Sequence, residues 1–230
     1  MFYNEDIFNR FLMMLNENQT KNLFSKSIIV FGVGGVGSAV AHMLVRSGIQ
    51  NLTLVDFDKI DITNINRQLV ANTENVGKIK VEELKIQLNK ISPNAKITSI
   101  CMKYGEDTAK KIDLTKFDYI VDCIDDIKAK KLLILKANEH KIPILCAMGA
   151  GNRYVGVPNF EIADIKKTSY DPIAKILRKF CADQGINKLQ VCYTKQKATK
   201  FDCKTIGSVV YYVVNMASII CSKVVNDILN

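Results

Sequence analysis

The stretch Ser27–Ser38, SIIVFGVGGVGS, decides the fold of this chain. Its first half is apolar and rich in β-branched residues, and it predicts a strand buried on both faces over Ser27–Val33. Helical periodicity follows and ends at Gly48, a residue type common just after a helix. The turn between strand and helix contains Gly32, Gly34, Gly35 and Gly37. Glycine lets the backbone approach a ligand closely, and free N–H groups at a helix start bind phosphate, so this stretch predicts a nucleotide site.

Apolar strands and amphipathic helices alternate on the C-terminal side of this stretch. The predicted strands lie at residues 51–56, 96–101, 118–121 and 142–147, and the predicted helices at residues 77–91 and 127–140. This alternation predicts an α/β fold with a Rossmann-like, mostly parallel sheet and helices on both faces. Ligands of such sheets bind at the carboxyl ends of the strands, so we expect functional residues in the loops that follow them.

The pattern is looser at both ends of the chain. A polar amphipathic segment occupies residues 4–24, and the C-terminal part predicts a basic helix at 172–184, a strand at 189–193 and an apolar helix from Gly207. No linker rich in Pro, Gly or Ser separates these parts, so we expect one domain, 1–230, with a basic helical extension at its C-terminal end. Polar residues interrupt the apolar helix, which favours a core or dimer-facing role over a membrane anchor.

Composition excludes several classes of protein. With 230 residues, 48% hydrophobic and 24% charged, the chain is too apolar for a disordered protein and long enough for a full core. The N-terminal MFYNEDIFNR lacks the basic region of a secretory signal, so we expect a cytoplasmic protein. The seven cysteines include no Cys-x-x-Cys pair, and we expect neither disulfides nor a structural zinc ion. Cys181, Cys192 and Cys203 recur every eleven residues, which we attribute to coincidence.

The net charge of +9 is unevenly distributed along the chain. Residues 1–150 contribute +3 and residues 151–230 contribute +6, with the excess concentrated between Lys166 and Lys204. A basic region of this kind fits a polyanionic partner, and it fits a solvated lysine-rich surface equally well. Charge alone leaves both interpretations open.

Residues after the second predicted strand favour ATP over a dinucleotide. Asp56 ends that strand 19 residues after Gly37, where an acid accepts hydrogen bonds from a ribose, and a nicotinamide dinucleotide would satisfy this arrangement too. Asn64 and Arg67 follow, and a guanidinium group suits bidentate binding of phosphate oxygens. Lys80, at the start of a predicted helix, either adds a positive charge on the same phosphates or is an ordinary surface lysine.

Three acids follow the fourth predicted strand. Asp122 and Asp125, with Asp126 beside them, offer oxygen ligands for a Mg²⁺ ion that bridges phosphate oxygens. Capping of the next helix by Asp125 or Asp126 is the alternative, and it is compatible with metal binding by the other acid. Together with the glycine loop, the arginine and the lysine, these acids describe a site that cleaves ATP. We include Asp58 in the candidate ATP-binding set.

The stretches FGVGGVGS, LVDFDKIDITNINRQ, VGKIK and DCIDD resemble the ThiF/MoeB family of adenylating enzymes over roughly residues 27–147. The resemblance implies ATP and Mg²⁺ as cofactors. The implied roles are nucleotide contact for Gly34, Gly35 and Gly37, ribose binding for Asp56, phosphate binding for Asn64, Arg67 and Lys80, and metal binding for Asp125. The candidate ATP-binding set is completed by Gly32, Asp58 and Asp122.

The downstream sequence resembles one branch of this family, the tRNA threonylcarbamoyladenosine dehydratases. The similarity lies in residues 142–179, IPILCAMGAGNRYVGVPNFEIADIKKTSYDPIAKILRK, and in the N-terminal RFLMML. It implies ATP-dependent cyclisation of a modified adenosine beside the tRNA anticodon, with Arg67, Lys80 and Asp125 as the catalytic residues. It also implies a homodimer in which Arg10 reaches the partner's site, and it makes sulfur-relay proteins candidate partners. We expect no obligatory membrane, because a core or dimer-facing role suits the closing helix better.

Under this resemblance, residues 27–147 form the nucleotide-binding core and residues 148–230 face the substrate and the dimer partner. The basic region then binds tRNA phosphates, which carry the negative charge of that substrate. The candidate tRNA-binding residues are Lys166, Lys167, Arg178, Lys179, Lys195 and Lys197.

Three alternatives stay open at this point. The same ATP residues serve an enzyme that adenylates the C-terminal glycine of a ubiquitin-like sulfur carrier. A nucleotide-binding module without catalysis, including a redox-type NAD binder, has the same glycine loop. Within adenylation chemistry, a cysteine nucleophile is the third alternative, although neither His42 nor His140 is close in sequence to the candidate thiols.

Overall fold

The computed structural model describes residues 4–202 and 205–230, which form seven strands and eight α-helices. In chain order these are α1 (Asn4–Leu12), α2 (Glu17–Ser25), β1 (Ser27–Phe31), α3 (Gly35–Arg46), β2 (Asn51–Asp56), α4 (Lys80–Ile91), β3 (Lys96–Cys101), α5 (Glu106–Ala109), β4 (Tyr119–Asp122), α6 (Ile127–Glu139), β5 (Ile144–Ala147), β6 (Glu161–Asp164), α7 (Pro172–Asp183), β7 (Gln190–Tyr193) and α8 (Val210–Leu229). Short 3-10 turns span Ile62–Asn64, Leu114–Lys116 and Ile165–Lys167.

The strands lie in one sheet, in the order β3-β2-β1-β4-β5-β7-β6. Neighbouring strands are parallel except β6 and β7, which are antiparallel. The direction of strand addition reverses between β1 and β4, because β2 and β3 extend the sheet to one side and β4 and β5 extend it to the other. A crevice forms outside the carboxyl ends of the strands at such a reversal, and ligands bind there.

Alternate residues of β1 pack on opposite faces of the sheet. Ile28 and Val30 belong to the apolar cluster shared with α3, α4 and α8, whereas Ile29 and Phe31 belong to the cluster shared with α6. All four side chains are fully buried, which explains why this strand reads as a continuous apolar run. The prediction of a mostly parallel α/β sheet with helices on both faces is confirmed.

The closing helix α8 packs along α3 on one face of the sheet. Tyr212, Met216 and Ile220 are buried in the same apolar cluster as the central strands. Within the described ranges, α8 is the one helix long and apolar enough to cross a membrane, and half of its apolar window is buried inside the protein. Its packing on α3 gives it a place in the core.

Several element boundaries differ from the prediction by two or three residues: β5 begins at Ile144 and α8 at Val210, both later than predicted. Two further differences have a local reason. β1 ends two residues early because Gly32, with φ +80°, turns the chain out of the strand. α4 begins at Lys80, three residues late, because the preceding residues pair with the segment after β2. In that pairing the Gly77 N–H donates to the Ile60 carbonyl at 2.8 Å.

The C-terminal part is more than a helical extension. The predicted basic helix, strand and closing helix are present as α7, β7 and α8, and the structure adds the edge strand β6, which the sequence did not predict. The four residues of β6, EIAD, are all half-buried, so they show no run of buried apolar residues. Because β7 and β6 continue the sheet beyond β5, this part is joined to the nucleotide-binding strands by backbone hydrogen bonds.

Close backbone approach requires two glycines of the loop after β1. A Cβ atom on Gly37 would lie 1.8 Å from the Gly32 carbonyl oxygen, and a Cβ atom on Gly32 would lie 2.7 Å from the Cys123 carbonyl oxygen. The first turn of α3 therefore packs directly on the loop, and the loop packs directly on the residue after β4.

Gly37→Ala is expected to lower the free energy of unfolding by about 1–3 kcal/mol, because a methyl group has no room between α3 and the loop. Gly105→Ala is the matched control and is expected to change stability little, since Gly105 has extended backbone and no atom lies within 4 Å of its Cβ position. Urea denaturation of both variants measures the difference. Equal stability of the two variants would contradict the contact.

Candidate functional site

A cleft of about 690 Å³ lies at the carboxyl edge of the sheet, where the strand order reverses. Its walls come from the glycine loop, from the segment between β2 and α4, and from the residues that follow β4 and β5. The predicted site residues that line it are Gly32, Gly34, Gly35, Asp56, Asp58, Asn64, Arg67, Lys80 and Asp125. Residues from distant parts of the sequence thus meet in one concave site.

Asp56 connects the end of β2 to the glycine loop. One of its carboxylate oxygens accepts a hydrogen bond from the Val33 N–H at 2.7 Å, and the other accepts one from the Asp58 N–H at 2.8 Å. Each carboxylate oxygen has more than one acceptor position, so this side chain can still accept hydrogen bonds from hydroxyl groups in the cleft. Its location fits that of a ribose-binding acid.

Lys80 is held in the cleft wall by an ion pair. Its side chain is 6% exposed, and its Nζ donates to the Asp58 carboxylate at 2.8 Å. The partner carboxylate is half-exposed at the cleft surface. Lys80 is therefore not an ordinary surface lysine: its ammonium group has a fixed position beside the cleft.

Asn64 and Arg67 belong to the loop between β2 and α4. The Asn64 side-chain oxygen accepts from the Asp61 N–H at 3.1 Å, which closes a short turn. Arg67 Nη1 donates to the Thr63 carbonyl at 2.8 Å and to the Asn66 side chain at 3.0 Å. Among the described residues these bonds engage one guanidinium nitrogen, so the other two nitrogens can bind an anion.

Gln68 also lines the cleft, although sequence reasoning gave it no role. It is 7% exposed, and its Oε1 has no hydrogen-bond partner among the described residues. Its Nε2 would lie 3.8 Å from a Cβ atom on Gly34, so the carboxamide is next to the glycine loop. The feature of the sequence that could have identified Gln68 as a cleft residue is its position directly after Arg67.

Both Asp125 and Asp126 line the cleft, and Asp126 also caps the next helix through one of its carboxylate oxygens. Asp126 caps α6 by accepting from the Ala129 N–H at 3.2 Å and the Lys128 N–H at 2.8 Å, and these bonds lower its pKa. Asp125 is exposed, lines the cleft, and forms no hydrogen bond or ion pair with any described residue. Across residues 4–202 and 205–230 no group of three or more His, Cys, Asp or Glu side chains is arranged to hold a metal. A metal bound by Asp125 would need further ligands from a phosphate.

Asp122 does not line the cleft, which corrects the prediction that it contacts ATP. It is fully buried at the end of β4, where it accepts from the Lys130 ammonium group at 2.7 Å. Lys130 is also fully buried and donates to the Ala147 carbonyl at 3.1 Å. Burial alone would lower the pKa of Lys130, but the facing Asp122 carboxylate, together with Cys146 and Cys123, outweighs this effect and raises it. The pair joins β4, α6 and the end of β5 beneath the cleft.

The structure also places Gly37 differently from the prediction. It is buried under the loop and does not line the cleft, so packing against the loop is the reason that this position requires a glycine.

The wall after β5 depends on a buried pair that the sequence did not indicate. Arg153 Nη1 donates to the Gly149 carbonyl at 2.9 Å and to the Gly151 carbonyl at 3.1 Å. The Asp171 carboxylate accepts from the Gly149 N–H at 3.1 Å and lies 3.9 Å from Arg153 Nη2. Both charged side chains are buried, and together they shape the loop that lines the cleft.

The residues predicted to bind tRNA occupy the surface away from the sheet core. Lys166, Lys167, Lys179, Lys195 and Lys197 are exposed. Lys195 forms an ion pair with Glu161 at 2.8 Å. Arg10 is exposed in the last turn of α1 and does not line the cleft of its own chain.

Arg178 differs from these lysines. Its Nη1 donates to the Thr168 carbonyl at 2.7 Å and to the Ile165 carbonyl at 3.4 Å, so it holds the turn before α7 in place. These bonds engage one guanidinium nitrogen of a half-buried side chain, so a contact between Arg178 and tRNA through the other two nitrogens stays a prediction.

The candidate nucleophilic cysteines lie in the protein interior where the structure describes them. Cys181 and Cys192 are buried and do not line the cleft. Burial raises the pKa of Cys181 to about 11 and also raises the pKa of Cys192. Cys203 lies outside the described residues.

The fold and the cleft define a Rossmann-like nucleotide-binding protein. The family model described as ThiF family matches residues 8–228, and the chain belongs to this family.

Comparison with known proteins narrows the branch. The chain is 37% identical to a tRNA threonylcarbamoyladenosine dehydratase of Bacillus subtilis over 190 residues, which are 82% of this chain and 74% of that protein. It is 35% identical to the Escherichia coli protein of that name, over 70% of this chain and 60% of that protein. A molybdopterin-synthase adenylyltransferase of Haemophilus influenzae is 31% identical over 74% of this chain and 70% of its own length.

Solved structures of the Escherichia coli tRNA N6-threonylcarbamoyladenosine dehydratase have the same fold. The complex with AMP matches with a TM-score of 0.91 at 26% identity, and the complex with ATP matches with a TM-score of 0.89 at 25% identity. Each match covers 98% of this chain and 94% of the other. The resemblance to this branch is thereby confirmed.

Lys130→Met is expected to lower the free energy of unfolding by about 3–5 kcal/mol, because it leaves the Asp122 carboxylate buried without its counter-charge. Lys136→Met breaks an exposed ion pair with Glu139 on the same helix and is expected to cost about 1 kcal/mol or less. Guanidinium denaturation measures both. Addition of Asp122→Leu to the Lys130→Met variant should restore much of the loss; similar losses for the two single lysine variants would rule out a supporting role for the buried pair.

Proposed function

We propose that this chain is an ATP-dependent dehydratase that converts threonylcarbamoyladenosine in tRNA to its cyclic form by adenylating the threonyl carboxylate. The observation that carries the proposal is the cleft at the strand reversal, where the glycine loop, Asp56, Arg67 and Lys80 lie together. The similarity to curated dehydratases and to structures that hold ATP and AMP supports it.

The first step transfers AMP to the carboxylate. A carboxylate oxygen forms a bond to the α-phosphorus, the bond from that phosphorus to the bridging oxygen of the β-phosphate breaks, and pyrophosphate leaves. The N–H groups at the start of α3 bind the phosphates, and Asp56 accepts hydrogen bonds from the ribose. Arg67 and Lys80 stabilise the negative charge that develops on the phosphate oxygens.

Asp125 is the residue that we assign to Mg²⁺. Its carboxylate lines the cleft without a partner among the described residues, and Mg²⁺ is usually held by one or two carboxylates together with phosphate oxygens. The residues present therefore fit the ion. When bound, Mg²⁺ would neutralise part of the phosphate charge. Asp122 is buried against Lys130, whereas Asp126 lines the cleft and uses one carboxylate oxygen for the helix cap.

The second step closes the ring without a protein nucleophile. An atom of the neighbouring urea group attacks the acyl carbonyl, the bond to AMP breaks, and AMP leaves with one carboxylate oxygen while a proton is released. The nucleoside has then lost one water. Because the attacking group is tethered to the substrate, proximity supplies up to about 7–11 kcal/mol. The burial of Cys181 and Cys192 weighs against a thioester route.

The assembly and location belong to the same proposal. The chain works as one domain, in which residues 27–147 bind the nucleotide and residues 148–230 face the tRNA and a second copy of the chain. In that homodimer Arg10 reaches the partner's cleft, and sulfur-relay proteins act with the enzyme in the cytoplasm. The exposed lysines around Lys166 and Lys195 support a tRNA partner.

Adenylation of a ubiquitin-like sulfur carrier is the second candidate. The 31% identity to a molybdopterin-synthase adenylyltransferase favours it, and the ATP-facing residues would serve both reactions. The higher identity to the dehydratases makes it the weaker candidate. A nucleotide-binding module without catalysis has less support, because all the relatives described above are enzymes by name.

Incubation of tRNA bearing threonylcarbamoyladenosine with the protein, ATP and Mg²⁺ is expected to give a nucleoside lighter by one water. Mass analysis of the digested tRNA measures the conversion. Arg67→Ala is expected to lower kcat/KM by about 100- to 1,000-fold, because a donor to the developing phosphate charge is lost. Arg46→Ala, an exposed arginine at the end of α3, is the matched control and should leave conversion unchanged.

An unchanged nucleoside together with ATP–pyrophosphate exchange would mean that the chain adenylates a different carboxylate. Detection of a carrier-protein adenylate would then support the second candidate. Thermal stabilisation by NAD in preference to ATP, without exchange, would instead favour a binding module.

The affinity for tRNA is expected to fall steeply with salt, because lysines that neutralise phosphates release counterions. A variant with Lys166→Gln and Lys167→Gln should reduce the slope of log Kd against log salt by about one to two. Lys90→Gln, on the distant helix α4, should leave the slope unchanged. An affinity that is flat between low and moderate salt would remove the basic region from the tRNA site.

A further inference from the structure

Two loops lie side by side at the rim of the cleft. One comprises residues 149–155, and the other comprises residues 194–209, of which 203 and 204 lie outside the described residues. Asn152 joins them: its N–H donates to the Gly207 carbonyl, its carbonyl accepts from the Thr199 N–H, and its side chain accepts from the Gly207 N–H, each at 2.7 Å. The two loops therefore form one connected surface, which we call the rim.

The rim borders the adenylating centre directly. Gly151 from the first loop and Ile206 and Ser208 from the second line the cleft. The Ser208 carbonyl also accepts a hydrogen bond from the Asn66 side chain at 2.9 Å, and Asn66 in turn contacts Arg67 at 3.0 Å. A group that sits on the rim is thus next to the residues that we assign to the phosphates of ATP.

The rim carries two exposed aromatic rings. Tyr154 is 51% exposed and Phe201 is 46% exposed, and their ring centres lie 5.9 Å apart. The Tyr211 hydroxyl donates to the Tyr154 carbonyl at 2.8 Å and holds the first ring's backbone against the start of α8. Large apolar side chains that stay exposed beside a binding cleft mark an interaction surface.

The segment that carries Phe201 is basic, although Lys195 is paired with Glu161 and Lys197 lies over the Tyr170 ring. The segment from residue 194 to residue 202 contains Lys195, Lys197 and Lys200 against Asp202 as its single acid. Positive charge interleaved with exposed rings is typical of sites for single-stranded nucleic acid, where phosphates pair with lysines and bases stack on aromatic side chains. A second copy of the chain would bring the same lysines against themselves, so the charge favours RNA as the occupant.

We propose that Tyr154 and Phe201 form a stacking platform for the anticodon-loop bases that flank the reacting adenosine. The inference rests on the proposed function, which places the substrate in a single-stranded tRNA loop. The adenosine can deliver its threonyl carboxylate into the cleft when the neighbouring bases leave their own stack, and bases splayed from RNA loops stack on aromatic side chains. The platform thereby selects an unpaired loop over a duplex and sets the position from which the carboxylate enters.

The test uses the full chain and a fluorescent anticodon stem-loop RNA that carries the modified adenosine, with Kd measured at several salt concentrations. Tyr154→Leu and Phe201→Leu are each expected to raise Kd about tenfold. The slope against salt should not change, because stacking releases no counterions. Tyr154→Phe and Phe201→Tyr keep the rings and should retain wild-type affinity. Ile86→Ala, which removes a side chain of 51% exposure from α4, is the control.

Wild-type affinity in both leucine variants overturns the platform. A shift from dimer to monomer in sedimentation with intact RNA binding also overturns it, since the rings would then belong to a contact between copies. Equal losses in the ring-retaining variants do the same, because they would point to a general structural disturbance. Nucleoside conversion by the wild-type chain separates the two proposals: conversion with unaffected leucine variants removes the platform alone, whereas absence of conversion removes the proposed function and the platform with it.

Discussion

The contact between Gly37 and the Gly32 carbonyl is the constraint on which the rest of the structure depends. Because no Cβ atom fits between them, α3 begins directly against the loop, and its first residues, Gly35 and Val36, line the cleft. The loop is fixed from two other sides, by the Asp56 carboxylate on the Val33 N–H and by the Cys123 carbonyl against Gly32. Close packing of glycine backbone and one carboxylate contact thus create an anion-binding helix end without a cationic side chain.

The charged residues near the cleft divide according to solvent access. A charge without water needs a partner inside the protein, so Asp122 and Lys130 neutralise each other and become part of the floor. Asp125 is exposed and keeps its full capacity for a ligand. Lys80 is buried and paired, but its partner is at the surface. The Asp58 carboxylate is half-exposed, so the Lys80 ammonium group can bind an incoming phosphate as well as Asp58.

The features predicted from the sequence are those that leave a pattern in neighbouring residues, such as the glycine loop and the buried parallel strands. The direction in which a side chain points leaves no such pattern. Asp122 ends β4 and Asp125 comes three residues later. Asp122 is buried beneath the cleft in an ion pair with Lys130, whereas Asp125 lines the cleft. Arg153 and Asp171 form their buried pair across two elements, so their role in the wall depends on tertiary contact and could not be predicted.

This chain is similar over 74% or more of its length to relatives whose names imply different reactions, so the choice of carboxylate is a question for the wall of the cleft that faces the nucleotide. The wall around Arg153 and Asp171 belongs to the C-terminal part of the chain, whose strands β7 and β6 extend the sheet beyond β5. These strands lie on the opposite side of β4 from β1, the strand that leads into the glycine loop. Changes in that wall therefore leave the packing of α3 on the loop undisturbed. Because the attacking group is tethered to the substrate, the wall needs to supply no nucleophile. The wall must present one carboxylate to the α-phosphate and keep water from the acyl-adenylate until the ring closes. In this way a sheet that fixes the nucleotide on one side can accept different carboxylates on the other.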